Sequence, residues 1–230
     1  MKKLAYGVSL ILAVIVPAAA NAHYLWIEQP AKGNAIIHFG EFNEGVIEHS
    51  PGRMDEMPSV EAFAGPTPLT VSNQHDQFLL SARAGPTAIT AQELDYAVKD
   101  WRANGIGLAK PMYYARFGAA SVPTLDLDIM PAADGTSAQV FLHGKILPSA
   151  AYSLHAQNGW SQTGKADAQG KIKLAMPWRG QYLVEVIVAE NAVGTYTGTA
   201  YDVVRHRATL TLIQTKGAAT FTVASANHDD

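Results

Sequence analysis

Gln181-Tyr182-Leu183-Val184-Glu185-Val186-Ile187-Val188 decides the fold class. It reads as a β-strand. Outward from it, Gln139–Leu142, Tyr152–Ala156, Lys171–Ala175, Thr195–Val203, Ala208–Leu212 and Ala219–Val223 read the same way, most of them separated by Gly- or Asp-rich turns. Seven short strands in roughly ninety residues predict an antiparallel sandwich. By alternation, Ile172, Leu174, Leu183, Val186, Leu210 and Leu212 are its expected inward positions. The turn-rich Pro131-Ala132-Ala133-Asp134-Gly135 marks the expected boundary with an earlier module.

That earlier module is also strand-rich. His23–Gln29 and Ala35–Phe42 read as strands, followed by an acidic loop over Val46–Pro58. Short runs follow at Ser59–Ala64, Leu69–Ser72 and Phe78–Ala82, then at Met112–Phe117 and Leu125–Met130. Thr90-Ala91-Gln92-Glu93 has capping-box spacing, and Leu94, Ala97, Val98 and Trp101 follow at helical intervals before Asn104-Gly105. The expected fold is mostly β: two antiparallel β-sandwich-like modules, 23–131 and 132–225, with one short helix in the N-terminal module and a tail at 226–230.

The start of the chain sets the compartment. Met1-Lys2-Lys3, the apolar run Leu4–Ala20 and the small-residue exit Ala20-Asn21-Ala22 predict a secretory signal peptide over 1–22. The apolar run is near the lower limit for a membrane span, and no second one follows. The chain is therefore expected to be periplasmic and not membrane-spanning after cleavage. There is no cysteine, so thiolate metal sites and disulfides are excluded. The formal net charge is -3, and loss of Lys2 and Lys3 makes the remainder more acidic, which argues against a nucleic-acid partner.

Cleavage after Ala22 makes His23 the first residue. Its α-amino nitrogen and imidazole can then chelate one metal ion, and imidazole suits copper, nickel and zinc. His38 and His49 are the candidate imidazole partners, and Glu41 and Glu44 the candidate carboxylates. His206 is read as disfavoured for a cation by Arg205 and Arg207. No G-x-S-x-G elbow, H-E-x-x-H helix or Gly-rich phosphate loop is present, so a binding protein is favoured over an enzyme. Two rivals remain. One is a copper-dependent oxidative enzyme built on the mature N-terminal His, as in lytic polysaccharide monooxygenases. The other is a carbohydrate-binding or adhesive module in which His23 has no role.

Two segments resemble known domains. Val140-Phe141-Leu142-His143-Gly144-Lys145-Ile146-Leu147-Pro148-Ser149-Ala150 is similar to the opening of transthyretin-like and carboxypeptidase-regulatory-like sandwiches, a resemblance that implies an exposed hairpin position for His143. Thr163–Lys171 and Gly180–Val184 resemble their later hairpin and strand. The order of motifs along the chain resembles a family of bacterial periplasmic proteins named for predicted nickel and cobalt uptake. Those motifs are His23 and Trp26, Gly40-Glu41, Lys110 to Gly118, Leu127-Asp128-Ile129-Met130-Pro131 and Ala208 to Thr211. The resemblance implies a metal-uptake role, with a metal transporter at the inner membrane as partner.

Overall fold

The computed structural model describes residues 23–30, 33–83 and 88–223. The expected signal peptide, 1–22, and the tail, 226–230, lie outside the described residues. The first half carries β1 (Tyr24–Glu28), β2 (Asn34–Glu41), β3 (Val46–Ile47), β4 (Glu61–Ala64), β5 (Thr67–Leu69), β6 (Val71–Asn73), β7 (Phe78–Arg83), β8 (Ile89–Glu93), β9 (Lys99–Asp100) and β10 (Leu108–Phe117). The second carries β11 (Leu127–Pro131), β12 (Ser137–Leu142), β13 (Lys145–Ile146), β14 (Ala151–Ala156), β15 (Ser161–Lys165), β16 (Lys171–Lys173), β17 (Gly180–Tyr196) and β18 (Thr199–Gln214). The protein is mostly β, as its sequence pattern predicts.

These strands form three sheets. The first has the order β1-β2-β7-β6, with β3 on β2; the third has the order β11-β12-β13, with β16 on β12. Between them lies a nine-stranded sheet, β15-β14-β17-β18-β10-β8-β4-β5, with β9 on β10. The division expected at 131/132 therefore does not separate two sheets. Strand β18, from the end of the chain, pairs parallel with β10, from the first half. The other pairings between these strands are antiparallel, and an isolated parallel bridge joins Trp178 to Ala218.

Strand alternation explains how one sheet serves two cores. On β10, Tyr113 and Ala115 face Leu25, Ile27, Ile37, Phe39 and Phe78 of the first sheet. Tyr114, between them, faces Leu127, Ile129 and Val140 of the third. On β17, Val184 and Val186 join the core against the third sheet. Leu183 points the other way and packs with Tyr24 and Trp26 of β1. Leu183 is thus buried on the face opposite to Val186, although both were expected on one face.

Thr90 to Glu93 form a strand, not a helix start. β8 is paired on both sides, to β4 and to β10, with Thr90, Ala91 and Glu93 buried. Two hydrogen-bonded ladders outweigh a local capping preference. Glu93 accepts backbone N–H bonds from Ser59 at 2.7 Å and Asp95 at 2.6 Å instead of reaching back to Thr90. Helical structure here shrinks to the 3₁₀ turn Arg102–Asn104, closed by left-handed Gly105. The expected loop over Val46–Pro58 contains β3 and a second such turn, Arg53–Glu56. Thr195–Val203 is not one strand but the tip of the β17–β18 hairpin, turning at Thr197 and Gly198 with φ of 47° and 83°. Positive φ at both central residues is the twist-compatible two-residue turn. Ala219–Val223 forms no strand.

Candidate metal centre

Register builds the surroundings of His23. Tyr24 pairs with Gly40, so the antiparallel ladder brings His23 opposite Glu41. β3 then folds back on β2, with Gly40 opposite Ile47, and the Glu48 N–H reaches the Phe39 carbonyl at 2.9 Å. Gly40 permits this close return. Its φ is 150°, and an added Cβ would sit 2.2 Å from the Val46 carbonyl oxygen. His23, Glu41 and Glu48 consequently lie on one face of the first sheet, beside Phe39, whose ring centroid is 5.5 Å from that of His23.

The imidazole is held between two carboxylates. Its Nε2 bonds to Glu48 Oε1, and its Nδ1 lies 3.2 Å from Glu41 Oε1. That second approach is an electrostatic one. Nδ1 is buried and makes no aligned hydrogen bond among the described residues. Arg207 Nη1 donates to the His23 carbonyl, and the Thr209 hydroxyl donates to the Leu25 carbonyl at 2.6 Å, fixing this end of β1 against β18. A cavity of about 180 Å³ opens beside the ring, lined in part by Arg53, Glu56, Tyr96, Lys99 and Tyr113. Within it Glu56 accepts from the Tyr96 hydroxyl and from Lys99 Nζ, the latter at 2.7 Å. Burial raises the Glu56 pKa, but its hydrogen bonds to Lys99 and Tyr96 more than offset this and leave it lowered.

The other expected ligands do not join His23. His38 pairs with Trp26 across the β1–β2 ladder, so it occupies the opposite face of that sheet from His23. There it meets Glu28 at 3.3 Å and the Trp26 ring at 5.1 Å. His49 stacks on His75 at 5.2 Å. Glu44 is exposed and accepts from Asn43 Nδ2 at 2.7 Å, within the 3₁₀ turn Phe42–Glu44. Of the expected ligand set, His23 and Glu41 are brought together; His38, His49 and Glu44 are not. Glu48, outside that set, is the residue that replaces them. The polar partners of the His23 ring among the described residues are carboxylates, whereas the oxidative-enzyme reading requires a second imidazole.

A second group lies elsewhere. His143 is exposed, as expected of it, and its Nε2 lies 2.8 Å from Glu190 Oε2. His206 Nε2 lies 2.7 Å from the same oxygen. The Glu190 carboxyl would be raised by burial, but hydrogen bonds from both imidazoles hold it below its usual range. The Glu190 bond raises His143, while burial lowers His206.

No protein-family model, curated protein or solved structure matches this chain. Among the described residues no helix is long and apolar enough to cross a membrane.

Proposed function

We propose that this is a non-enzymatic metal-handling protein that binds a divalent transition ion at the N-terminus exposed when residues 1–22 are removed. One observation carries the reading. His23 has a carboxylate hydrogen-bonded to Nε2, while its buried Nδ1 faces a second carboxylate without a hydrogen bond. Metal-binding histidines commonly donate their remaining N–H to a carboxylate, which fixes the tautomer. Glu48 is the orienting group in this reading. With the proton on Nε2, the Nδ1 lone pair faces the Glu41 oxygen at 3.2 Å, an arrangement that a cation relieves. The α-amino nitrogen and Nδ1 are the chelating pair, and Glu41 is the third ligand. Amine, imidazole and carboxylate suit nickel, cobalt and copper(II). A periplasmic location and delivery to an inner-membrane transporter follow from the sequence expectations.

Calorimetric titration with nickel(II) and copper(II) tests this on two forms of the protein, one starting at His23 and one at Ala22. The extra residue converts the amine into a peptide nitrogen and leaves the imidazole in place. Affinity is expected to fall by more than about tenfold on that extension, and by about tenfold in Glu48→Gln. Equal affinity of the two forms overturns the reading.

A further inference from the structure

We propose that His143, Glu190 and His206 form a second, independent cation site, for zinc or another divalent transition ion. Their ligand atoms all lie within 4.8 Å of one another. Three separate elements supply them: the β12–β13 hairpin tip, β17 and β18. Glu190 pairs with Val204 and His206 with Val188, so the two ligands are diagonal neighbours on one face of the central sheet. His143 arrives from the third sheet, which covers that face.

The hairpin tip is shaped to deliver its imidazole. His143 and Gly144 have φ of 49° and 71°, and the His143 N–H is bonded to the Asp126 carbonyl at 2.6 Å. A non-glycine residue in the left-handed region is uncommon and carries a conformational cost. Here it turns the side chain toward Glu190, with the two imidazole rings perpendicular and 5.6 Å apart.

The outer nitrogens are also partnered. His206 Nδ1 lies 3.1 Å from the Tyr114 hydroxyl, and the two rings stack. His143 Nδ1 lies 3.6 Å from Asp126 Oδ1. Both Nε2 atoms can therefore turn their lone pairs to one ion while the Nδ1–H groups face an oxygen. Tyr114 can accommodate that tautomer. When its oxygen accepts from His206, its hydroxyl proton has Met112 Sδ as acceptor at 3.4 Å. Two imidazoles and a carboxylate, with a position left for water or another ligand, are a donor set that zinc takes readily.

The protein starting at Ala22, in which the N-terminal chelate is disabled, is the form to use. Zinc chloride is titrated calorimetrically into it and into its His143→Asn and Glu190→Gln variants, with thermal denaturation as a check that each is folded. Asparagine tolerates the left-handed backbone at 143. One equivalent of zinc is expected to bind the Ala22 form, with affinity reduced more than about tenfold in each variant. No binding to the Ala22 form, or equal affinity in folded variants, overturns the proposal. Because the His23 nitrogen is a peptide nitrogen in every form used, this outcome is separate from that of the His23 test.

Discussion

Arg116 of β10 and Asp128 of β11 are both wholly buried and meet in two nitrogen–oxygen contacts of 2.6 Å. The pair joins the central sheet to the third. Asp128 also accepts the N–H groups of Thr124 at 2.8 Å and Leu125 at 3.3 Å, so its carboxylate is fully engaged. Removing one partner of such a pair strands the other charge away from water. Asp128→Ala is expected to lose about 3–5 kcal/mol in urea denaturation.

Leu183 tests the layer order. It is fully buried against Tyr24 and Trp26 rather than in the core against the third sheet. Leu183→Ala is expected to cost about 2–5 kcal/mol. Because its neighbours are on β1, hydrogen exchange should rise at the Tyr24–Ile27 amides more than at those of β12.

Glu185 makes stability acid-sensitive. Burial alone would raise its pKa, but Arg207, with Nε 2.8 Å away, and His155, with Nε2 3.4 Å away, more than offset this and leave it lowered. A carboxyl lowered in the folded state binds its proton more readily when unfolded. Its contribution is complete above the ordinary glutamate value of about 4.3 and is lost as pH falls through the lower folded value. Glu185→Gln should be less stable near neutrality and show a shallower decline with acid, read from denaturation midpoints across pH.

Gly40 should tolerate no side chain. The 2.2 Å approach to the Val46 carbonyl oxygen leaves no room for a Cβ, and φ of 150° disfavours one. Gly40→Ala is expected to cost more than about 1 kcal/mol. Nickel affinity of the protein starting at His23 should fall with it, because β3 carries the chain to Glu48.

Much of the second half was legible because its turns are chemically distinctive. His143-Gly144 and the Asp167 to Gly170 turn mark strand ends that the structure retains. The face of β17 was not legible. Tyr182 to Val186 is buried on both sides, so its pattern cannot say which core each residue joins. The capping-box spacing at Thr90 misled because pairing on both edges is information held by distant strands. At the candidate site the decisive fact was parity. His38 falls on the face opposite His23 because Trp26 pairs with it, and that depends on the β1–β2 register. Glu190 and His143 are 47 residues apart in sequence, with nothing local to link them.

The last strand of the described fold is an interior member of the central sheet, flanked by β17 and by β10. β1, the first strand, is tied to it through Arg207 and Thr209. A polypeptide emerging from its N-terminus therefore lacks its keystone until residues beyond Thr199 are present. Contacts of such long sequence separation slow folding. Fragments ending before β18 should be degraded or aggregate rather than persist as a working N-terminal half, and the His23 surroundings should be among the last parts to acquire their native form.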